Sequence, residues 1–472
     1  MADKDDLISS TIEEDVLLWL TSPPLTFEEA QAYLLGLGHE TLNIKLGLAT
    51  TERLLEALIN PAYFCQKIQI AGTNGKGSTA VMLDAITRAA GIRTALYTSP
   101  HLVNITERIR FDGHEIEPHD FARLTYTVRE TAIRLRDTGV IEALPTFFEH
   151  LTAMFLLGCP DAWSELAILE TGLGGRLDAT TAAGAQIVGI TSIALDHQEY
   201  LGETLVEIAA EKAAVIRSGV TAAVIAPQVP EVLAVIERRC AEVGVTPRLS
   251  DCAVETHGAE DDGRLRVTFK TARDRYEQVL LGLRGRHQVI NACVAIQLAE
   301  ALCDCGFTIS RADITAGLES ARHAGRLEIL ENSPRILFDG AHNIAGAQAL
   351  REYLDEFIKT PVTLVFGAMR DKDLSEIARI LFPVARRLIL TQPMNPRAAT
   401  PETLAALVRA SAASATITLA ASVAEALVKA LEQTPSDELI CVTGSLYLVG
   451  EVQSILAACG NAREVNQQPV VP

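Results

Sequence analysis

Residues 72–78 of the chain read Gly-Thr-Asn-Gly-Lys-Gly-Ser, between an apolar strand pattern at 67–71 and a helix pattern at 78–90. A strand, a glycine-rich turn and a helix N-terminus together form a cradle for phosphate. The glycines let backbone N–H groups converge, and the helix end carries partial positive charge. Lys76 is placed to reach the terminal phosphates of a nucleotide. The stretch therefore predicts a sheet flanked by helices, with a phosphate group at the end of one strand.

The glycine-rich stretch departs from the common P-loop pattern in its spacing. Ile70 stands where the first glycine is usual, and Gly77 rather than Ser or Thr follows the lysine. The hydroxyl that usually binds magnesium is therefore displaced by one position, to Ser78. A tight strand-to-helix turn would also explain the glycines, but the lysine and the flanking elements favour nucleotide binding.

Length and composition indicate a protein of several domains and argue against nucleic-acid-binding, secreted and membrane proteins. A chain of 472 residues exceeds a single hydrophobic core, so we expect two or three domains. The net charge of −19 and the lack of a basic block argue against nucleic-acid binding. Because the N-terminal stretch is acidic and polar, we expect no signal peptide. The sequence contains no run of about eighteen apolar residues, so we expect no membrane span. The nine scattered cysteines show no zinc pattern and indicate reduced thiols in the cytoplasm.

Strand and helix patterns alternate in the first part of the chain, which is typical of α/β folds with parallel sheets. Strand patterns lie at 67–71, 93–98, 165–170, 186–193 and 222–226, and helix patterns at 78–90, 148–157, 205–217, 232–243 and 289–303. Residues 247–283 alternate polar and apolar side chains around Asp261-Asp262-Gly263, which predicts β-hairpins packed outside the parallel sheet.

A second alternation follows, without a P-loop. Its strand patterns lie at 335–339, 362–367, 387–391, 416–419 and 438–443, and its helix patterns at 345–358, 374–381, 401–410, 424–432 and 448–458. The pattern breaks around His323-Ala324-Gly325, where we expect a hinge. We therefore predict a two-domain α/β chain. Residues 1–325 would form a P-loop parallel-sheet ATPase domain with an added β-hairpin region, and residues 326–472 a smaller, Rossmann-like α/β domain.

Polar side chains follow three strands of the first part, at Ser99, Glu170 and the pair Asp196-His197. Ligands of open parallel sheets bind at the carboxyl ends of the strands, so we expect these groups to lie close together. Each also has an ordinary explanation, as a turn, a solvated strand end or a cap. A hydroxyl, a carboxylate and an imidazole, with phosphate oxygens, suit Mg²⁺. Zinc is less favoured because no cysteine joins the set.

Five stretches together resemble the folylpolyglutamate synthase/dihydrofolate synthase family, within the Mur-ligase superfamily of ATP-dependent amide-bond ligases. They are GTNGKGS, TSPHL at 98–102, ETGLGGRLDATT at 170–181, SIALDHQEYLG with AEKAAVIR beyond it, and FDGAHN at 338–343. They occur in the expected order and cover roughly residues 34 to 455. GTNGKG alone would indicate only the superfamily, whereas the ETGLGGRLDATT and FDGAHN stretches are much more specific to the folate branch.

The resemblance implies three sets of site residues. The ATP set is Gly72, Thr73, Asn74, Gly75, Lys76, Gly77, Ser78, Asn291, Arg326, Asp339 and His342, with Asn343 continuing the FDGAHN motif. The magnesium set is Ser99, Glu170, His197 and Lys212, the lysine carrying a carbamate. The folate or pteroate set is Thr146, Phe147, Phe148, Glu149, Leu177, Asp178 and Ala179, with the loop 43–48 around Lys45 on the pterin side. The implied catalytic residues are Lys76, Lys212 and His197.

The reaction implied by the resemblance adds L-glutamate to dihydropteroate, or to the terminal glutamate of a reduced folate. ATP would be the co-substrate and two Mg²⁺ ions the cofactor. We expect a cytoplasmic monomer that acts on these small molecules, without nucleic-acid or membrane partners. Two alternatives stay open: another Mur-type ligase acting on a cell-wall precursor or another amino acid, and a P-loop nucleotide-dependent switch.

Overall fold

The computed structural model describes residues 25–38, 47–408 and 414–465, the side chains of 460–465 excepted. Lys45, and residues 409–410 at the end of a predicted helix, lie outside these ranges. Within them, the strands form three sheets, each built from its own part of the chain. Across the same ranges, no helix is both long enough and apolar enough to cross a membrane.

Eight strands form the first sheet. They are β1 Gln66–Ala71, β2 Thr94–Tyr97, β3 Ile109–Phe111, β4 His114–Glu115, β5 Leu166–Glu170, β6 Ile187–Ile190, β7 Ala222–Ile225 and β8 Pro247–Leu249. Their order is β4-β3-β2-β5-β1-β6-β7-β8, with β3 and β4 antiparallel at one edge and the other six strands parallel. Ile70 of β1 lies beside Glu170 of β5 and Gly189 of β6, so the carboxyl ends of the three central strands meet.

Helices cover both faces of the first sheet. They are α1 Phe27–Gly36, α2 Ala49–Ala57, α3 Lys76–Ala89, α4 Pro118–Asp137, α5 Phe147–Asp161, α6 Gln198–Leu201, α7 Leu205–Ala213, α8 Pro230–Val243, α9 His287–Asp304 and α10 Arg311–Ser320. Successive strand side chains point to opposite faces. Ile168 therefore packs with α3 and α9, whereas Leu169 packs with α4 and α5. The sequence patterns predicted neither α4 nor α10, and the helix predicted to reach residue 217 ends at Ala213.

The small sheet confirms the hairpins predicted within residues 247–283. Its strands are β9 Ala253–Ala259, β10 Leu265–Lys270 and β11 Arg275–Leu280. They pair antiparallel in the order β11-β10-β9. β8 is the exception, because it pairs in parallel with β7 and so extends the first sheet.

The second large sheet carries the second alternation. Its strands are β12 Glu328–Leu330, β13 Arg335–Phe338, β14 Val362–Phe366, β15 Ala385–Leu390, β16 Thr416–Leu419 and β17 Leu439–Thr443. Its helices are α11 Ile344–Phe357, α12 Leu374–Leu381, α13 Pro401–Val408, α14 Val423–Gln433 and α15 Leu446–Val465. The order is β12-β13-β17-β14-β15-β16, parallel except for β12. The predicted α/β class is confirmed, whereas the domain boundary between residues 325 and 326 stays a prediction.

Candidate active site

A cavity of about 440 Å³ lies between the carboxyl ends of the two large sheets. Its second-sheet wall comes from the loops that follow β13, β14, β15 and β17. The residues implied for ATP, magnesium and the folate acceptor line this cavity, with the exception of Gly72 and the loop 43–48. In that loop, Lys45 lies outside the described residues, and Gly47 and Leu48 are not part of the cavity wall. The structure therefore brings together groups that are far apart in the chain.

The phosphate loop connects β1 directly to α3, as its sequence predicts. Gly75 has φ +90°, a left-handed conformation that favours glycine. A Cβ at Gly75 would lie 2.2 Å from Asn291 Oδ1, so the predicted ATP residue on α9 rests against the loop. Lys76 is the first residue of α3, and its Nζ donates a hydrogen bond to Thr73 O at 3.1 Å.

The Ser78 hydroxyl is held by two residues that the sequence motifs did not indicate. His323 Nδ1 lies 3.2 Å from Ser78 Oγ, and Gln288 Nε2 donates to the same oxygen at 3.4 Å. Gln288 Oε1 in turn accepts from Asn291 Nδ2 at 2.9 Å. Burial lowers the pKa of His323 to about 3, so the imidazole beside the phosphate loop is neutral at pH 7.

Glu170 places a buried carboxylate beside the phosphate loop. Its Oε2 accepts a hydrogen bond from the backbone N–H of Ser99 at 3.0 Å. Its Oε1 lies 3.3 Å from the position that a Cβ would take on Gly77. Burial raises the pKa of Glu170, against the opposing effect of Lys76, the Ser99 N–H and Arg326. The carboxylate thus adjoins the phosphate loop and two cations.

Lys212, near the end of α7, contacts the start of the same phosphate loop. Its Nζ is buried and donates to Gly72 O at 2.8 Å, which explains why Gly72 itself does not line the cavity. Burial, and then the charge of Lys76, lower the pKa of Lys212 to about 7, although Asp196 and Asp178 act in the opposite direction. A substantial fraction of Lys212 is therefore a neutral amine at physiological pH.

His197 and Asp196 follow β6 at the cavity wall. Burial lowers the pKa of His197 to about 3, although the neighbouring Asp196 carboxylate opposes this. Burial also acts to raise the pKa of Asp196. The side chain of His342, whose Nε2 lies 3.7 Å from Asp196 Oδ2, and the adjacent Lys372 ammonium outweigh burial and hold that pKa far below its usual range. The site therefore presents a neutral imidazole beside a firmly ionised carboxylate.

Asp196 is the centre of a polar cluster that joins the two large sheets, here called the inter-sheet clasp: Asn74, Asp196, Asn343 and Lys372. Asn343 Nδ2 donates to Asn74 Oδ1 and to Asp196 Oδ2, both at 3.0 Å. Lys372 Nζ lies 2.5 Å from Asp196 Oδ1, and the side chains of this ion pair are only 10% and 8% exposed. Two loops of the second sheet thus bind one carboxylate of the first.

The FDGAHN turn also binds the segment 325–327, beside the expected hinge. Asp339 accepts hydrogen bonds from the N–H groups of Leu327 and Ala341, each at 3.0 Å. Burial raises the pKa of Asp339, while Arg326 and the two N–H donors oppose the increase. A Cβ on Gly340 would lie 3.0 Å from Arg326 Nη1, so the arginine at the hinge packs closely on the turn.

The expected folate wall is held by its own hydrogen bonds. Thr146 and Glu149 form a capping box at the start of α5, and Thr51 Oγ1 donates to Glu149 Oε1 at 3.2 Å. Asp178 accepts from the N–H groups of Leu173 and Thr180 at 2.9 and 3.0 Å. These carboxylates therefore shape the wall. Leu177 and Ala179 flank Asp178 on the same wall, where Phe147 and Phe148 add aromatic surface.

The metal ligands implied by the resemblance do not form a cluster of His, Cys, Asp and Glu side chains that could hold a metal ion by themselves. Among the residues that the structure describes, no three or more His, Cys, Asp or Glu side chains are grouped to hold a metal ion. Ser99, Glu170, His197 and Lys212 nevertheless line one cavity around the phosphate loop. A complete magnesium site there would need oxygen atoms from a carbamate or from phosphate.

Sequence reasoning missed several groups in the cavity wall. Asp196 was noted beside His197 without a role, and Gln288, His323, Lys372 and Arg397 were not indicated at all. A usable signal existed for Lys372, because it lies in a polar turn directly after the predicted strand at 362–367. His323 stood in the expected hinge, where the sequence pattern gives no reason to place a side chain on the phosphate loop.

A phosphate loop that faces a second α/β sheet across one cavity defines a ligase of the Mur type. Residues 70–299 match the Mur ligase middle domain, and residues 325–446 match the Mur ligase, glutamate ligase domain. The chain belongs to the dihydrofolate synthase/folylpolyglutamate synthase family within that class.

Relatives and solved structures agree with this membership. The Bacillus subtilis dihydrofolate synthase/folylpolyglutamate synthase is 31% identical, over 91% of this chain and 99% of its own. A probable bifunctional folylpolyglutamate synthase/dihydropteroate synthase of Halobacterium salinarum is 34% identical over 91% of this chain. The chain spans about half, 52%, of that relative's length. The structure of E. coli FolC in complex with DHPP and ADP has a TM-score of 0.81 and 29% identity, covering 93% of this chain and 99% of that one.

Proposed function

We propose that the protein is an ATP-dependent ligase that joins L-glutamate by an amide bond to dihydropteroate, or to the terminal glutamate of a reduced folate. The observation that carries the proposal is the cavity. It combines a phosphate loop bearing Lys76, an aromatic wall at Phe147 and Phe148, and the FDGAHN turn. The name of the B. subtilis relative and the ligands of the E. coli structure support the same substrates.

The reaction proceeds through an activated carboxylate. A carboxylate oxygen of the acceptor attacks the γ-phosphorus of ATP, ADP leaves, and an acyl phosphate forms. The amine nitrogen of glutamate then attacks the acyl carbon, phosphate leaves, and the nitrogen loses a proton. Such chemistry depends mainly on positioning and on electrostatic stabilisation. Lys76 and Arg326, which line the cavity and whose charges both lower the pKa of Glu170, would offset the accumulated negative charge.

The residues around the phosphate loop fit magnesium, which when bound would neutralise phosphate charge. Ser99 and Glu170 would supply oxygen ligands, and the neutral His197 would supply a nitrogen. Lys212 fits a carbamate, because a buried amine with a pKa near 7 is partly neutral and reacts with carbon dioxide. The carbamate would carry a negative charge in place of the positive charge of the protonated lysine, and its oxygen atoms are ligands that magnesium prefers. We propose that these four residues together bind two magnesium ions.

The ATP set and the folate set are proposed with the same assignments that the resemblance implies. ATP would lie along the phosphate loop between Asn291 and the hinge, and the acceptor along the wall from Thr146 to Ala179. Water must be excluded, because acyl phosphates hydrolyse readily. The inter-sheet clasp supports a closed arrangement of two domains, 1–325 and 326–472, around the reactants. Because one chain supplies every group, we propose a monomer acting in the cytoplasm.

The proposal is tested by glutamate incorporation. Purified protein is given radiolabelled L-glutamate and MgATP, with dihydropteroate or tetrahydrofolate as acceptor, and a UDP-sugar acceptor in parallel. We expect ATP-dependent product with at least one pterin acceptor and none with the UDP-sugar. Lys76→Ala is the low-activity reference, and Lys359→Ala, at an exposed position two residues beyond α11, is the matched lysine control.

The same assay separates the alternatives. A cell-wall ligase would label the UDP-sugar acceptor instead of the pterins. A nucleotide-dependent switch would release phosphate from ATP at the same rate with or without acceptor and glutamate. Either result would overturn the proposed function, whereas phosphate release that requires both acceptor and glutamate supports it.

A further inference from the structure

The loop that carries Ser99 contacts the second large sheet through Leu102. This residue belongs to the first sheet's loop after β2, yet its side chain packs against a core cluster of the second sheet. The cluster contains Phe338 of β13 and Val449 and Val452 of α15. The adjacent Val103 is 40% exposed and is absent from that cluster. The contact is therefore particular to Leu102.

Two glycines make room for Leu102. A Cβ on Gly450, in α15, would lie 1.9 Å from the carbonyl oxygen of Leu102 and 2.7 Å from its carbonyl carbon. A Cβ on Gly325, in the hinge, would lie 3.1 Å from Leu102 Cδ1. Any larger residue at Gly450 would force the two backbones apart by about 1 Å, because real Cβ atoms essentially never approach within 3.0 Å.

Hydrogen bonds hold the loop that carries Leu102 both at Ser99 and at residues 102–104. The Glu107 carboxylate accepts hydrogen bonds from the N–H groups of Leu102, Val103 and Asn104, at 2.7, 2.8 and 2.6 Å. Three residues before Leu102, the Ser99 N–H donates to Glu170 at 3.0 Å. The segment is thus hydrogen-bonded at both ends, and only two residues separate Leu102 from the Ser99–Glu170 hydrogen bond beside the phosphate loop.

We propose that Leu102 is a positioning residue, whose docking against Gly450 and the hinge fixes Ser99 and Glu170 at the cavity. The second sheet then completes the phosphate site of the first without supplying a group to it, so that the site is assembled only when the two sheets are together. The effect on turnover rests on the proposed function, whereas the contact and its effect on the loop do not.

The experiment compares Leu102→Ala and Gly450→Ala with the parent in the full-length protein. Hydrogen–deuterium exchange is measured for the peptide covering residues 99–104, and steady-state ligation is measured below the melting temperature. We expect exchange in this peptide to rise at least about tenfold in both variants, because the loop loses its support. We expect kcat to fall about 10- to 100-fold, as for a misplacement near 1 Å, with the KM for ATP within about twofold.

Matched variants separate positioning from general destabilisation. Val103→Ala removes the exposed neighbour, and Gly36→Ala adds a methyl to a helical glycine that has no heavy atom within 4 Å of the new Cβ. Both should leave exchange and kcat unchanged, and Leu102→Met should restore most of the loss in Leu102→Ala. A merely structural role for Leu102 would lower the melting temperature without changing kcat or exchange at 99–104.

The outcomes are distinct from those of the function assay. Unchanged exchange at residues 99–104 in Leu102→Ala overturns the proposal, even if Gly450→Ala fails to fold. Faster exchange with an unchanged kcat also overturns it, because positioning would then be irrelevant to turnover. If the parent joins no glutamate at all, the proposed function fails, and the exchange measurement still decides whether Leu102 holds the loop.

Discussion

The two walls of the cavity are built on different principles. On the first-sheet wall, three ionisable groups are held from within the first part of the chain: Lys76 by Thr73, Lys212 by Gly72 and Glu170 by Ser99. On the second-sheet wall, the polar groups reach across the cavity, as Lys372 and Asn343 do when they bind Asp196. The hydrogen bonds of Lys76, Lys212 and Glu170 thus stay within the first part of the chain, whereas those that Lys372 and Asn343 make to Asp196 depend on contact between the two sheets.

Because of this difference, we expect substitutions on the two walls to lower turnover in different ways. Substitutions on the first wall should remove charges from the phosphate site and reduce turnover while both sheets stay in place. Substitutions on the second wall should act through closure, so their effects should be smaller and coupled to residues across the cavity. The predictions below test this distinction, beginning with the largest effect.

Lys76→Ala should lower kcat by about 10²- to 10³-fold, because a positioned cation facing the terminal phosphates is lost. The fold should be unaffected, since Lys76 lines the cavity and contributes no apolar core. Steady-state ligation and circular dichroism measure the two effects, with Lys359→Ala as the control. A folded Lys76→Ala protein with near-parental turnover would show that the first wall does not operate through this charge.

Lys212→Ala should lower kcat by about 10²-fold, because the proposed carbamate no longer completes the ligand set. A short carboxylic acid such as acetate should restore part of the activity of Lys212→Ala by occupying the vacated space. Lys212→Arg should not respond, because its cation stays in the site. Lysine carbamylation is measured directly in the parent by ¹³C NMR with ¹³CO₂.

Two results would contradict the role of Lys212. One is full activity of the parent in buffer depleted of carbon dioxide together with no carbamate signal. The other is equal acetate rescue of Lys212→Ala and Lys76→Ala, because a general effect of acetate would then explain the recovery.

Most of the first wall could be predicted from the sequence because its groups follow strand ends within short motifs. The phosphate loop, Ser99, Glu170 and His197 are each adjacent to a strand whose apolar pattern is clear. Parallel strands place their carboxyl ends together, so adjacency in the chain becomes adjacency in space. The strands of both large sheets were predicted largely for the same reason.

The rest could not be predicted because it depends on contacts between distant segments. Lys372 reaches Asp196 across the two sheets, and His323 reaches Ser78 from a segment 245 residues further along the chain, so no local pattern records either contact. The low pKa of Lys212 likewise follows from burial, which the charged stretch Glu211-Lys212 does not suggest. By contrast, α4 was missed although its buried Phe121, Leu124, Val128, Ala132 and Leu135 recur every three or four residues, which is a local helix signal that was available in the sequence.

The clasp ion pair should couple the two walls energetically. Lys372→Met leaves the Asp196 carboxylate buried without its cation, and Asp196→Asn leaves the Lys372 ammonium unpaired. Each single variant should lower kcat about tenfold, and the double variant should be less impaired than the product of the two. A double-mutant cycle on kcat should give a coupling of about 1–2 kcal/mol, in the range for residues in direct contact.

The exposed pair Arg351–Asp355 on α11 is the matched control for this cycle. Arg351→Met and Asp355→Asn should change kcat little and show a coupling below about 0.5 kcal/mol, as for helix surface pairs. Additive effects of Lys372→Met and Asp196→Asn would mean that the second wall does not act through the clasp.

Acid should weaken the first part of the chain through a buried histidine that lies outside the cavity. His150 is a fully buried residue of α5, and its Nε2 lies 3.4 Å from the carbonyl oxygen of Thr125 in α4. Burial lowers the pKa of His150 to about 3. In the unfolded chain the pKa is about 6.5, so below that pH the unfolded state binds a proton that the folded state refuses. The contribution of His150 to stability is therefore full above pH 6.5 and falls as the pH decreases toward 3.

His150→Gln should remove this contribution, because an amide keeps a donor near Thr125 O but does not titrate. Between pH 6 and 4, the free energy of unfolding of the parent should fall more steeply than that of the variant, by up to about 1.4 kcal/mol per pH unit. Urea unfolding followed by circular dichroism at several pH values measures the difference. His119→Gln, at a side chain 75% exposed, is the matched control and should follow the parent. Parallel pH profiles for the parent and His150→Gln would show that the acid sensitivity of the first part has another origin, such as the cavity histidines His197, His287 and His323, whose pKa values burial also lowers.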